Sequence, residues 1–189
     1  MAITQAEAAS ALREVEAATD RTVTMRAYSF ASPHLILWGL VWILGYGLMG
    51  TLPPEQWGLV WAPLNGVGAG GSALIGWRTR HAAHRAGLRA PGVCAMLIAM
   101  FFVCLFIVAV YVVFAPTRPE PYLVVPALVL GLVYVVAGVW KMRRMAMIGG
   151  AVFVLALAGY ALLQPYLAYW LAAVGGGGLV LGGLWLRKA

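Results

Sequence analysis

Charge is what this sequence has least of. Only 10% of its 189 residues are Asp, Glu, Lys or Arg, where an ordinary soluble domain carries about a quarter. None of them falls inside the long apolar stretches between residues 33 and 186. That scarcity excludes a normal soluble globule. It also argues against proton relays and ion-coupled pumps, which keep ionisable groups at membrane depth.

Cysteine and histidine are equally sparse. Cys94 and Cys104 are the two cysteines, both in one apolar stretch, so neither a disulfide framework nor a CxxC redox or zinc motif is available. The three histidines form no HExxH ligand set and no facing pair for a haem. His34 sits at the edge of a span, where it reads as an interfacial polar anchor. His81 and His84 would stack on one helix face, yet without a nearby cysteine or carboxylate they make no metal site. No serine is paired with a histidine base for intramembrane proteolysis. Catalytic residues, metal and cofactor are therefore expected to be none, and the protein is expected not to be an enzyme. An enzyme acting on lipid at the membrane surface ranks last, since the basic loops supply no carboxylate.

What is present is hydrocarbon: 63% of the residues are hydrophobic. A span needs about twenty apolar residues to cross a ~30 Å core, and six such stretches occur, at 33–52, 56–77, 93–114, 121–140, 145–163 and 165–186. The expected fold is all-α, a polytopic six-helix transmembrane bundle. Helices two, four and six end alike, in "LIGWRTR", "AGVWKMRRM" and "GGLWLRKA", which suggests three tandem helical hairpins. The unequal spacing of Trp77, Trp140 and Trp185 leaves shared interface chemistry as the other explanation.

The net charge of +7 is arranged by topology. Arg78, Arg80, Arg85 and Arg89 lie in one loop, Lys141, Arg143 and Arg144 in another, and Arg187 and Lys188 in the tail, whereas the opposite face carries Arg118 beside Glu120. The positive-inside rule then places both termini in the cytoplasm. Arg78, Arg80, Arg85, Arg89, Lys141, Arg143 and Arg144 are expected to meet anionic lipid headgroups, and no nucleic-acid partner is needed. Eleven of the thirteen basic residues are arginine, which by association alone suggests a GC-rich bacterium and hence its inner membrane.

Residues 1–31 carry too many charges for a cleavable signal. "AEAASALREVEAATDRT" places Ala8, Ala11, Leu12, Val15 and Ala18 on one side of a helix, a cytoplasmic amphipathic arm ahead of the membrane domain at 32–189. The arm either rests on the basic loops of its own bundle or docks a partner or a second copy.

Helix two carries the most informative pattern. Trp61, Asn65 and Ser72 share a stripe, and Gly66 and Gly70 lie beside it. An amide at mid-membrane must find a partner. Trp61, Asn65 and Ser72 thus line a ligand site or pore, or else glue a packing seam through an interhelical hydrogen bond. Gly66 and Gly70, like Gly178 and Gly182, form GxxxG pairs suited to close helix packing. Gly175, Gly176, Gly178, Gly182 and Gly183 share a face of helix six, with Gly177 turned away. The run Gly175–Gly178 stays helical or unwinds to expose carbonyls, as broken transporter helices do.

In outline the chain is similar to the substrate-binding components of vitamin-uptake transporters and to small glycine-rich six-span proteins linked to acid resistance. That likeness is one of architecture and does not fix function. Two functions fit. One is a non-enzymatic membrane protein that binds or passes a small, weakly polar or apolar solute, alone or as an oligomer or transporter component. The other is a structural or assembly subunit that docks other membrane helices through its glycine faces.

Overall fold

A computed structural model describes residues 5–85, 93–139 and 142–188, and among these every regular element is helical. Six helices follow one another: α1 (Gln5–Met49), α2 (Trp57–Arg85), α3 (Val93–Phe114), α4 (Glu120–Val139), α5 (Arg143–Leu162) and α6 (Gln164–Arg187). Five of them, all but α2, are long and apolar enough to cross a membrane. Helix α2 is 29 residues long but is diluted by its glycines, Asn65 and a basic end. Hydrocarbon offers the backbone no hydrogen-bond partners, so a chain of this composition satisfies its amides within each helix.

The core is formed by α1, α4, α5 and α6, with α2 against α1 and α3 at the margin. The two tightest seams join α4 to α5 and α1 to α6. Both depend on glycine. A Cβ at Gly39 would stand 2.7 Å from the Gly176 carbonyl and one at Gly176 would stand 2.8 Å from the Gly39 carbonyl. Further along the same seam, the Ser32 hydroxyl donates to the Gly183 carbonyl at 2.7 Å. Gly131 and Gly149 make the corresponding crossing of α4 and α5, with virtual Cβ to carbonyl distances of 2.9 and 2.6 Å. Backbones this close gain dispersion contacts that larger side chains would forbid.

Three features differ from the pattern in the sequence. First, Pro33 does not open the first span: α1 is one helix of 45 residues with Pro33 inside it, roughly 68 Å long at 1.5 Å per residue. The segment before Pro33 is already helical, and packing of Ser32 and Leu35 in the core offsets the hydrogen bond that the proline removes. Residues 10–23 of this helix are exposed. Second, the glycine run neither unwinds nor continues as regular α-helix. Ala172–Gly177 form a π-helical turn between α-helical Leu167–Leu171 and Gly178–Arg187. The wider turn sets Gly175 against the Trp42 ring and Gly176 against Ile43 and Gly39. Third, His34 turns away from the surface. It is buried, its Nδ1–H donating to the Phe30 carbonyl at 2.9 Å and its ring lying 4.8 Å from that of Phe30.

Candidate functional site

At the end of the bundle that carries the short turns, α1, α2, α3 and α4 surround a cavity of about 740 Å³, within the size range of small-molecule sites. Each helix supplies residues about one turn apart. Helix α1 contributes Trp38, Trp42, Tyr46 and Met49; α2 contributes Trp57, Trp61 and Asn65. Across from them stand Met100, Cys104 and Tyr111 of α3 and Tyr122, Pro126, Leu130 and Tyr134 of α4. Asn65 lies eight residues into α2 from Trp57, so the cavity reaches roughly 12 Å inward.

Pro126 explains how Tyr111 is fixed. With no N–H, it cannot bond the carbonyl of Tyr122 one turn earlier. That free carbonyl accepts the Tyr111 hydroxyl at 3.0 Å, and the adjacent Leu123 carbonyl accepts the Tyr46 hydroxyl at 2.9 Å. The Tyr111 and Tyr122 rings lie 4.7 Å apart. Tyr122 in turn donates to the Pro116 carbonyl at 3.3 Å, holding the turn that carries Arg118. Ala115, with φ 37°, bends the chain out of α3 into that turn.

The remaining aromatics are held in the same manner. Trp38 Nε1 donates to the Ser72 hydroxyl at 3.1 Å, Trp57 Nε1 to the Leu52 carbonyl at 3.1 Å, and Trp61 Nε1 to Met49 Sδ at 2.9 Å. Tyr46 meets both Trp42 and Trp61 edge to face, with ring centroids 5.4 Å apart in each pair, a favourable quadrupole arrangement. Six of the eight lining aromatics therefore direct their polar atom to a protein group and leave apolar faces to the cavity. Among the described residues the Asn65 amide, the Tyr134 hydroxyl and the Trp42 Nε1–H have no hydrogen-bond partner. Among the described residues Arg118, at the turn end, is the single formal charge in the lining.

Trp61 and Asn65 thus lie together on the cavity wall. Ser72 does not line it, but accepts the hydrogen bond that orients Trp38. Tyr111 and Tyr134 converge there, whereas Tyr160, Gln164 and Trp170 do not; Trp170 instead donates to the Leu155 carbonyl and packs on Gly159. Gly66 and Gly70 form no packing seam within this chain, because a Cβ at either would meet nothing within 4 Å. A Cβ at Gly175 would stand 3.1 Å from Trp42, at Gly178 3.7 Å from Val152, and at Gly182 2.8 Å from Ile148.

The basic residues gather at the other end. Arg78, Arg80, Arg85 and Arg143 are exposed there, while Arg89 and Lys141 lie outside the described residues. Arg144 also has a partner within the bundle. Its Nη1 donates to the Trp185 carbonyl at 3.1 Å and its guanidinium lies 5.0 Å above the Trp185 ring, so it caps the C-terminal carbonyls of α6.

The aromatic stripe of α1 carries its own periodic signal in the sequence: Trp38, Trp42 and Tyr46 follow one another at spacings of four, like Trp57, Trp61 and Asn65. Compared with known protein families, curated proteins and solved structures, the chain finds no match.

Proposed function

We propose that this protein is a non-enzymatic, multi-pass protein of a bacterial inner membrane that binds or passes a small, weakly polar or apolar solute through the aromatic cavity. Helix α2 is its sixth span, and both termini lie in the cytoplasm, where the exposed arginines meet anionic headgroups. One observation carries the reading: a cavity of about 740 Å³ walled by aromatic faces whose polar atoms are mostly occupied, with the Asn65 amide free. Such a site favours an apolar body bearing one hydrogen-bonding group, because a strongly polar solute would leave its own groups unpaired.

The test is binding itself. Native mass spectrometry of the purified protein should detect a retained small molecule, or flux assays in vesicles should detect its passage. Asn65→Ala should reduce either by roughly tenfold, the order of one lost hydrogen bond of ~1.4 kcal/mol, with unfolding temperature unchanged. Absence of both ligand and flux from the wild-type protein would remove the reading.

A second reading, an assembly subunit that docks other membrane helices, draws on the open Gly66–Gly70 face of α2. Co-purification of a stoichiometric membrane partner, or of a stable homo-oligomer, without any small molecule would favour it.

A further inference from the structure

The cavity runs from the turn end, where Pro54, Thr117 and Arg118 line it, into the space between α1, α2, α3 and α4. Helices α2 and α3 form opposite walls of the cavity, yet they do not pack against each other along their lengths. No residue of Leu97–Phe114 is fully buried, so hydrocarbon would surround α3 on most sides in a bilayer. Its polar tie to the bundle is at one end, where Tyr111 bonds the Tyr122 carbonyl.

We propose that the ligand is a bilayer-dissolved lipophile, a slender hydrocarbon body with one hydroxyl or carbonyl group, which enters sideways between α2 and α3. The proposal rests on the solute-binding reading above and names the substrate class and its source. An apolar space joined to the lipid at hydrocarbon depth fills with hydrocarbon, since water there would find few polar partners. Moving a chain from lipid into such a space gains no hydrophobic free energy, because lipid tails are as apolar as the cavity. Selectivity must come from dispersion on the ring faces and from a hydrogen bond to Asn65. A lipophile with one polar group at that depth makes both contacts. A plain acyl tail makes only the first.

The experiment uses the full-length chain in phosphatidylcholine–phosphatidylglycerol vesicles, with a long-chain alcohol carrying a photoactivatable diazirine as the probe. Trp42 and Tyr46 are 8% and 1% exposed and line the cavity, so the probe reaches them by way of the cavity. Phe101 and Phe102, at 62% and 60% exposure, report ordinary lipid contact. Labelling of Trp42 or Tyr46 is expected, lowered several-fold by Asn65→Ala while the label on Phe101 and Phe102 is unchanged. Label confined to Phe101 and Phe102 in the wild-type chain overturns the lateral route. The broader reading is judged apart: a water-borne solute retained in native mass spectra with the cavity unlabelled preserves binding and rejects the lipid source, and loss of both results rejects both.

Discussion

Tyr111 shows how one residue can control an entire helix. Its hydroxyl rests on a carbonyl that Pro126 leaves free, and it is the side-chain hydrogen bond joining α3 to α4. Tyr111→Phe should lower stability by roughly 1 kcal/mol, the scale of an interhelical hydrogen bond in a membrane, measured by thermal unfolding in detergent. It should also speed maleimide labelling of Cys104, an exposed thiol on the cavity wall, in a Cys94→Ser background. An unchanged labelling rate would mean that α3 is held by something other than this bond. At this scale the sequence was half legible. Asn65 and Trp61 stood out because a polar amide in an apolar helix is costly. Trp38, Trp42 and Tyr46 did not, because aromatics near a span's end look like interface anchors until a facing helix is known.

At the scale of the element, glycine has two opposite meanings here. Gly39, Gly176, Gly131 and Gly149 sit where backbones cross, whereas Gly66 and Gly70 face open space. Gly176→Ala should destabilise the bundle by about 1–3 kcal/mol, as overpacking does, since the added methyl meets the Ile43 amide and the Gly39 carbonyl. Gly66→Ala and Gly70→Ala should stay within ~1 kcal/mol of wild type, on the stabilising side, from helix propensity. Both series are read by unfolding temperature in detergent. A large loss in Gly66→Ala would reveal a partner seated on that face. A GxxxG pair belongs to one helix, but a seam needs two, so the sequence could nominate these glycines without ranking them. The tight seams α4–α5 and α1–α6 likewise cut across the hairpin pairs suggested by the repeated Gly-Trp-basic endings.

For the whole molecule, two consequences follow from α1. Its exposed stretch at residues 10–23 adds nothing to the core, so deleting residues 1–22 should leave the unfolding temperature unchanged. A marked drop would show that the arm braces the bundle. Orientation is testable with single cysteines in a background lacking Cys94 and Cys104. An impermeant thiol reagent should label Glu55→Cys in intact cells, but Ser10→Cys only after permeabilisation, if the basic end faces the cytoplasm. The reverse pattern would invert the topology.

The sequence by itself determined the solvent and the elements. In hydrocarbon a backbone must bond locally, so length and apolarity are enough to mark helices such as α3, α4, α5 and α6. Only the tertiary structure decided which faces meet, where a cavity remains, and that Gly175 and Gly176 pack against α1 through a π-turn rather than open. The physical reason is that lipid-facing and protein-facing surfaces are equally apolar here. Without the polar–apolar contrast that reveals the buried face of a soluble helix, the inside of this bundle becomes visible only when the helices are placed side by side.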